Sequence, residues 1–473
     1  MILCPITVFI LCWKIHTEAA DPESNPKDLF RRGINKLRAA MNSDEDGPVP
    51  EAICDSTVLQ HHGHLSGHCD TKLFYWFFES RNNPRDSPTV VYFQGGPGAS
   101  SLYSALSGNG GPCIVDDTGN STSLNQYSWN THANVMYLDQ PAQVGFSRGS
   151  IPKCSVEASE STYSALEEFF TSRPEYNTRV FLAGQSYAGH YIPPLAAKLT
   201  GRTSSVRLEG ILLGNPDVAP EIQWRFYPEM ARANRLVYEY KYERLKDNAD
   251  ECMGLVRQCN REEVVVNKRP GIASRLWGFL GLRGTPCTRA WRVCMNGLIT
   301  PIVDEGISVR HVDREDRSGT ASPAFRNVAN FLRKRSVQKV LGVTTSWTLT
   351  NMEVLNKLEE DRPRNYHHYL PNLIDHGLRV QIMVGDRDYL CNWMGNEAWT
   401  MELNWRGAHE FRKAEVVGYH DAYSIGELRS YTLPDTGGQL TFIRVYGAGH
   451  DVAKDVPRAA LKMVDEFLNN KLR

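Results

Sequence analysis

The chain has 473 residues, which is enough for one large domain or for two or three domains of average size. Its 53 lysines and arginines almost balance its 54 aspartates and glutamates, and the formal net charge is -1. Because no global positive charge favours nucleic acid or an anionic membrane, we expect neither as a partner.

The N-terminus has the features of a secretory signal peptide. Residues 2–13 form an apolar run too short to cross a bilayer, and small residues suited to cleavage follow at 17–20. No lysine or arginine precedes the run, so a buried helix of a cytosolic protein stays open as the alternative. We predict a signal peptide over 1–20 and a mature chain without membrane insertion. The protein is then expected in the secretory pathway, either secreted or held in a lysosome or vacuole.

Two further segments are expected to be accessible. Residues 21–50 are polar with a modest helical pattern and predict a removable pro-segment or an N-terminal arm, or else a simple first helix of the mature domain. Asn120 begins an Asn-Ser-Thr acceptor sequence and is a candidate glycosylation site.

Cysteine usage also indicates an oxidising compartment. Removing the two cysteines within residues 1–20 leaves nine of the eleven, which is consistent with four disulfides and one free thiol. Cys252 and Cys259 have the same spacing as Cys287 and Cys294, which suggests two nested bridges. This spacing differs from the short knuckles of structural zinc sites, so no metal is expected.

The order of predicted elements favours an α/β fold. Aromatic and β-branched runs predict strands, and helical patterns lie between several of them. The strands are predicted at 73–79, 89–93, 133–139, 180–183, 207–215, 379–385 and 440–445, and helices at 159–170, 191–196, 239–250 and 458–472. Such alternation implies a mostly parallel sheet flanked by helices.

The alternation lapses from 216 to 338, where the nested cysteines lie. We interpret 216–338 as an inserted cap subdomain. The core is then divided into a first part over 51–215 and a second part over 339–473.

The sequence GQSYAG at 184–189 predicts a nucleophile elbow, a tight turn between strand and helix that exposes Ser186. Small residues at 184, 188 and 189 let the backbone pass close to itself, and the prolines that follow are expected in the first turn of the helix. An ordinary strand-to-helix loop remains possible until partners for the serine are found.

Loops after three other strands supply candidate partners. Asp386 and Asp388 follow the strand at 379–385, and His450 follows the strand at 440–445. The order Ser, Asp, His is that of α/β-hydrolase triads, and the carboxyl ends of parallel strands share one sheet edge. The run QGGPGASS at 94–101 suits an oxyanion hole better than a phosphate loop, since it lacks the required lysine.

The chain from about residue 52 onward resembles the serine carboxypeptidase family, and QWRFYPEM with the cysteine-linked cap is similar to its carboxypeptidase Y-like branch. The segments that carry the resemblance are GHLSGHCDTKLFYWFFESRNNP, FQGGPGASS, YLDQPAQVGFS, GQSYAGHYIPPLA, VGDRDYLCNWMGN and VYGAGHDVAKDVP. They occur in the family's order.

The resemblance implies an α/β-hydrolase fold and a catalytic triad. Ser186 is the implied nucleophile, His450 its general base and later acid, and Asp388 the residue that orients His450. The implied oxyanion hole consists of the backbone N–H groups of Gly96 and Tyr187.

The resemblance also assigns the cysteines. It implies a free thiol at Cys391 near the leaving-residue pocket and the disulfides Cys252–Cys294 and Cys259–Cys287. We expect the other cysteines after residue 50 to pair among themselves in an order left open; they are Cys54, Cys69, Cys113 and Cys154.

Substrate recognition departs from the family pattern. An asparagine and two glutamates usually grip the substrate's C-terminal carboxylate, and their places are taken here by Gln94, Asn109 and Gln185. Asp451 is expected to border the leaving residue's pocket, or else to point to solvent, and Arg362 is expected to face the pocket from the other side. The implied substrate-binding residues are Gln94, Gly95, Asn109, Gln185, Cys391 and Asp451.

We therefore predict a serine carboxypeptidase that releases C-terminal residues from peptides and proteins through an acyl-enzyme, without a cofactor, as a monomer or homodimer. A serine-carboxypeptidase-like acyltransferase or esterase is the alternative, because it keeps the same triad and differs in what enters the site. A non-catalytic binding protein is disfavoured by the intact triad.

Overall fold

The computed structural model describes residues 53–201, 203–261, 284–315, 323–421 and 423–472. The predicted signal peptide and the predicted pro-segment or arm lie outside the described residues.

Twelve strands occur in the described residues, and ten of them form one sheet. The strands are Gln60–Ser66 (β1), Lys72–Phe78 (β2), Thr89–Phe93 (β3), Cys113–Val115 (β4), Thr122–Leu124 (β5), Asn134–Leu138 (β6), Val180–Ser186 (β7), Leu208–Pro216 (β8), Arg379–Gly385 (β9), Val417–His420 (β10), Ser424–Thr432 (β11) and Gln439–Val445 (β12). The order in the sheet is β1-β2-β6-β3-β7-β8-β9-β12-β11-β10. The run from β6 to β12 is parallel and both edges are antiparallel, which confirms the α/β class.

Helices connect and cover these strands. They are Leu102–Leu106 (α1), Ser155–Ser172 (α2), Ala188–Leu199 (α3), Pro220–Gln223 (α4), Tyr227–Ala233 (α5), Glu239–Arg261 (α6), Pro286–Cys294 (α7), Thr300–Val303 (α8), Pro323–Leu332 (α9), Arg335–Leu341 (α10), Met352–Lys357 (α11), Leu370–Asp375 (α12), Trp393–Glu402 (α13), Ala408–Lys413 (α14), Val452–Asp455 (α15) and Pro457–Leu468 (α16). No helix in the described ranges is both long enough and apolar enough to span a bilayer.

The central strands are buried on both faces, as parallel strands between helical layers must be. Along β7, Leu182 faces the apolar cluster that contains residues of α2 and α3. Its neighbour Phe181 faces the opposite cluster, where its ring lies 5.7 Å from that of Phe467 in α16. The twofold alternation of strand side chains thus distributes one apolar run over two helical layers.

The structure confirms the predicted strands to within a residue or two, except that β7 continues past the predicted 180–183 to Ser186, and it adds elements that the sequence did not indicate. β1 and β10 were missed because they are the edge strands, and β11 because it lies next to an edge; polar residues interrupt the apolar pattern in all three. α3 begins at Ala188, so Pro193 and Pro194 lie inside the helix rather than in its first turn.

The described residues between β8 and β9 contain helices and no strand of the sheet. Trp224, Met230, Leu245 and Ile302 belong to an apolar cluster separate from the two that cover the sheet. In contrast, α9 and α10 contribute their buried residues to a sheet-covering cluster.

Three disulfides join described cysteines: Cys54–Cys113, Cys252–Cys294 and Cys259–Cys287. The last two link α6 to α7 and are the nested pairs that the resemblance implies. The expectation of four bridges is wrong in the structure, because Cys69 and Cys154 remain free, as does Cys391. Cys69 is exposed before β2, whereas Cys154 is buried at the N-terminus of α2, so the two thiols have different surroundings.

Candidate active site

Ser186 lies on a sharp turn between β7 and α3. Its φ is 61°, in the left-handed region that residues other than glycine rarely occupy. A Cβ at Gly184 would lie 2.6 Å from the Cβ of Ala188, and one at Gly189 would lie 2.5 Å from the carbonyl oxygen of Asp217. The turn therefore requires glycine at both positions, and it leaves Ser186 only half-buried, as an elbow requires.

The imidazole of His450 is held by the carboxylate of Asp388. The two residues follow β12 and β9, which are neighbouring parallel strands. Nδ1 of His450 lies 2.7 Å from Oδ2 of Asp388, and the side chains are 1% and 0% exposed. Asn215 Nδ2 donates to the same oxygen at 2.7 Å, and the Leu390 N–H donates to Oδ1 at 3.0 Å. These donors fix the carboxylate, which in turn fixes the orientation of the ring.

Asp386, the other aspartate of this loop, has a different set of partners. It accepts a hydrogen bond from the Gly447 N–H at 2.9 Å and lies 3.6 Å from the guanidinium of Arg444. Asp386 thus connects the loops after β9 and β12, and of the two candidates it is Asp388 that meets His450.

The other ring nitrogen, Nε2 of His450, is buried and has no hydrogen-bond partner among the described residues. The thiol of Cys391 lies beside the side chain of Ser186, and its Sγ lies within 4.8 Å of ligand atoms of His450 and Asp388. Burial raises the pKa of Cys391 well above its usual range, so the thiol stays protonated. The Cys391 thiol, which is neutral, therefore lies close to both Ser186 and the imidazole of His450.

Asp388, Cys391 and His450 also form a grouping close enough to bind a metal ion. However, Nδ1 of His450 and Oδ2 of Asp388 bind each other directly at 2.7 Å. The two atoms are engaged as a proton donor and its acceptor, so we assign no metal to them.

The Gly95-Gly96 turn packs directly on the elbow. A Cβ on Gly95 would lie 2.5 Å from the backbone nitrogen of Tyr187 and 2.9 Å from the Cβ of Ser186. Gly96 has a φ of 115°, which favours glycine. The Tyr187 N–H lies at the N-terminus of α3, where helix geometry provides no intrahelical acceptor. The glycine turn and the Tyr187 N–H therefore lie beside Ser186, and the oxyanion hole formed by the N–H groups of Gly96 and Tyr187 stays a prediction.

A buried aspartate anchors this glycine-rich loop. Asp139, after β6, accepts hydrogen bonds from Oγ of Ser100 at 2.6 Å and from the N–H of Ser101 at 2.8 Å. Its complete burial raises its pKa to about 7, even though these hydrogen bonds lower it. The anchor of the loop therefore changes charge near neutral pH.

The three amide side chains expected to bind the substrate's carboxylate form one network. The Tyr92 hydroxyl lies 3.0 Å from Oε1 of Gln94 and 3.2 Å from Oε1 of Gln185. Ser104 Oγ donates to Oε1 of Gln94 at 2.8 Å, and Asn109 Nδ2 donates to Oε1 of Gln185 at 2.7 Å. All three amides are thereby held in fixed orientations.

The direction of these amides departs from the expectation that all three donate to the substrate. Gln185 Nε2 donates to the carbonyl oxygen of His450 at 2.6 Å and to Oδ1 of Asp451 at 2.7 Å, so both hydrogens are used inside the protein. Asn109 is likewise engaged with Gln185. Among the three, it is Gln94 whose Nε2 donates to no residue that the structure describes.

Asp451 is half-buried next to this network and carries a charge. Burial raises its pKa, but the positive charge of Arg310, the proximity of His450 and the hydrogen bond from Gln185 outweigh burial, and the pKa is lowered. The hydrogen bond from Gln185 holds this carboxylate beside the amide network, and its position at the leaving residue's pocket stays a prediction.

Arg362 was expected to face the pocket, but the residue is buried, with 7% of its surface exposed. Its guanidinium carbon lies 4.1 Å from the centroid of the Trp291 ring in α7. This stacking joins α7 to the segment before β9 that packs on α3 through His190.

Asn120 is exposed in the turn between β4 and β5. Its Oδ1 accepts a hydrogen bond from Nζ of Lys334 at 2.6 Å, and its backbone N–H donates to Asp116. Its glycosylation stays a prediction.

Sequence reasoning gave no role to several residues at this site. Asn215 could have been identified from the sequence, because it is a polar residue near the end of β8, and β8 neighbours β9, the strand before Asp388. Tyr92 lies within an apolar strand pattern, and Arg310 lies in an irregular segment between α8 and α9. Nothing local in the sequence marks either of them.

Comparison with known proteins places this geometry in context. A model of the serine carboxypeptidase family matches residues 50–470. Carboxypeptidase Y homolog A of Botryotinia fuckeliana (strain B05.10) is 34% identical over 477 residues, which cover 97% of this chain and 82% of that protein. Serine carboxypeptidase-like 48 of Arabidopsis thaliana is 31% identical over 436 residues, which cover 88% of this chain and 80% of that protein.

Among solved structures, Kex1(delta)p, a prohormone-processing carboxypeptidase from Saccharomyces cerevisiae, is similar with a TM-score of 0.73. The match covers 88% of this chain and 93% of that chain at 23% identity. The overall fold is therefore shared.

Proposed function

Because this chain belongs to the serine carboxypeptidase family and has the α/β-hydrolase fold, we propose that it releases C-terminal residues from peptides and proteins with Ser186 as the nucleophile. The observation that carries the proposal is the arrangement of His450, whose Nδ1 is bound to Asp388 while its Nε2 is buried and free. A base held in one orientation with an unoccupied nitrogen is what a serine nucleophile needs.

Acylation follows from this geometry. Ser186 Oγ attacks the carbonyl carbon of the last peptide bond, and its proton passes to Nε2 of His450. The negative charge that develops on the carbonyl oxygen is stabilised by the N–H groups of Gly96 and Tyr187. His450 then protonates the leaving amine, and the C–N bond breaks to release the terminal residue and leave an ester on Ser186.

Deacylation uses the same groups in reverse order. Water attacks the ester carbon while Nε2 of His450 accepts its proton, and the return of that proton to Ser186 Oγ frees the shortened peptide. Asp388 holds the ring of His450 and stabilises the imidazolium that forms in both halves of the reaction.

The secretory pathway is the proposed location, with the mature protein secreted or held in a lysosome or vacuole. The apolar N-terminal run and the three disulfides support it, because disulfides persist in oxidising compartments.

Trapping the acyl-enzyme tests the proposed chemistry. We expect rapid acid quenching of the enzyme with a peptide ester to give a mass adduct on the tryptic peptide containing Ser186. Ser186→Ala, which removes one hydroxyl from a half-buried position, should fold normally and give no adduct. An adduct that persisted in Ser186→Ala would place the nucleophile elsewhere.

A further inference from the structure

Arg310 is a cation without an anion in direct contact. In the described part of the chain its guanidinium forms no hydrogen bond and no ion pair, and its Nε is buried. A buried donor that lacks an acceptor costs free energy, because it has given up its hydrogen bond to water. Because Arg310 is only half-buried, its guanidinium can still receive an acceptor from a ligand.

The backbone of Arg310 is fixed between the two catalytic loops. Its carbonyl oxygen accepts from the N–H of His450 at 2.8 Å. The preceding carbonyl, of Val309, accepts from the N–H groups of Tyr389 and Leu390 at 3.1 and 2.9 Å. The position of Arg310 is therefore set by the same loops that carry Asp388 and His450.

The side chain of Arg310 extends toward α1 and the amide network. Its guanidinium carbon lies 5.8 Å from the ring centroid of Phe325, and that ring lies 4.8 Å from the ring of Tyr103 in α1. The charges of Arg310 and Asp451 both act on the phenols of Tyr92 and Tyr103. Ser104, the next residue of α1 after Tyr103, donates to Oε1 of Gln94 at 2.8 Å, so Arg310 approaches the network from the side of Gln94.

Asp451 does not neutralise this arginine by direct contact. No ion pair within 4.0 Å joins them among the described residues, and Oδ1 of Asp451 already accepts from Gln185. Both amide hydrogens of Gln185 are used internally, and Asn109 Nδ2 donates to Gln185 at 2.7 Å and to Ser104 Oγ at 3.4 Å. The donors left for an incoming carboxylate are therefore Nε2 of Gln94 and the guanidinium of Arg310.

From this geometry we propose that Arg310 binds the C-terminal carboxylate of the substrate and is the charged anchor that restricts the enzyme to unblocked chain ends. The inference rests on the proposed carboxypeptidase function and names the group that recognises its substrate class. A planar guanidinium can donate two parallel hydrogen bonds to a carboxylate, which neutral amides match only singly.

The test compares two peptides that differ only at the C-terminus, one with a free carboxylate and one with a carboxamide. In wild type we expect the free acid to have the higher kcat/KM. In Arg310→Gln we expect the kcat/KM for the free acid to fall about 10- to 100-fold, mainly through KM, because a hydrogen bond to a charged group is lost. The amide should change little, so the preference for the free acid collapses.

Two further variants complete the design. Arg310→Lys keeps the charge and should retain part of the preference, even if Arg310→Gln folds poorly. Arg326→Gln removes an exposed arginine next to Phe325 and should match wild type. Labelling of Ser186 by a fluorophosphonate counts the folded sites in each preparation, so that rates are compared per active enzyme.

The outcomes separate the two proposals. If Arg310→Gln keeps the wild-type ratio between free acid and amide, the carboxylate is bound elsewhere and the inference is overturned. If wild type cleaves neither peptide, or if cleavage survives Ser186→Ala, the proposed function itself fails.

Discussion

Asp451 is a single carboxylate that we expect to set both the charge of the leaving residue's pocket and the preference for that residue's side chain. With a substrate bound, the charge of Arg310 is matched by the substrate's own carboxylate, and Asp451 is left as a net negative neighbour of the leaving residue. Because its pKa is lowered, Asp451 is ionised at mildly acidic and at neutral pH. We therefore expect the position after His450 to favour cationic side chains.

We predict that wild type releases C-terminal arginine faster than C-terminal leucine from otherwise identical peptides, and that Asp451→Asn reduces this preference about tenfold, the effect of one modest charge interaction. The ratio of kcat/KM values for the two peptides measures it. An unchanged ratio in Asp451→Asn would show that the carboxylate does not face the leaving residue.

The contact between Gln185 and Asp451 leads to a prediction about how KM depends on pH. Nε2 of Gln185 donates to Oδ1 of Asp451 at 2.7 Å. In Gln185→Glu two carboxyl groups would meet, and they can hydrogen-bond only while they share a proton. At neutral pH both ionise and repel each other. We predict that KM for free-acid peptides rises about tenfold from pH 5 to pH 7.5 in Gln185→Glu.

Wild type should show little change in KM over the same range, since amides and arginine do not titrate there. Initial rates at five pH values, on matched free and amidated peptides, distinguish the cases. A steep rise in wild type for the free acid alone would show that a titrating group takes part in binding the substrate's carboxylate.

At the scale of elements, the site depends on the contact between the β3 loop and the elbow. Gly95 leaves no space for a side chain, whereas a Cβ on Gly214 in β8 would meet its nearest atom at 3.8 Å, an ordinary contact. We predict that Gly95→Ala lowers kcat about 100-fold by displacing the oxyanion N–H groups, with a smaller effect on KM.

Gly214→Ala serves as the matched control and should keep most of the activity. Steady-state kinetics and thermal melting of both variants test the argument. Equal losses of kcat in the two variants would mean that close packing on the elbow has no special part in catalysis.

The anchor of that loop makes a stability prediction. The native pKa of Asp139 is raised to about 7 from an ordinary value of 3.8. Between these values the unfolded chain loses this proton and the native protein keeps it, so the stabilisation present at acid pH is lost as pH rises toward 7. From pH 5 to pH 8 we expect this residue to lower the free energy of unfolding by up to about 3 kcal/mol.

Urea unfolding of wild type and Asp139→Asn at both pH values measures this term. Any pH-independent effect of the substitution on the free energy of unfolding cancels when only the change between the two pH values is compared. Identical pH dependence in the two proteins would show that Asp139 is already ionised in the native state at pH 5.

At the scale of the whole molecule, what the sequence could predict was local. The pattern of the elbow glycines and of the strands before Asp388 and His450 lies within short segments of the sequence. The same is true of the equal spacing within the two cysteine pairs. Such patterns can be recognised without knowledge of the tertiary structure. The internal engagement of Gln185 by Asp451 and the placement of Arg310 depend on side chains far apart in the chain. The pairing of Cys54 with Cys113, which leaves Cys69 and Cys154 free, also depends on long-range packing.

The most direct test of the central claim is a time course on a defined peptide with a free C-terminus, carried out in ¹⁸O-labelled water and read by mass spectrometry. We predict a ladder shortened one residue at a time from the C-terminus. Each shortened product should carry one ¹⁸O atom in its new carboxylate, because water resolves the acyl-enzyme. Ser186→Ala and His450→Ala should give no ladder. Internal cleavage, or transfer of the acyl group to another acceptor without ¹⁸O, would contradict the account.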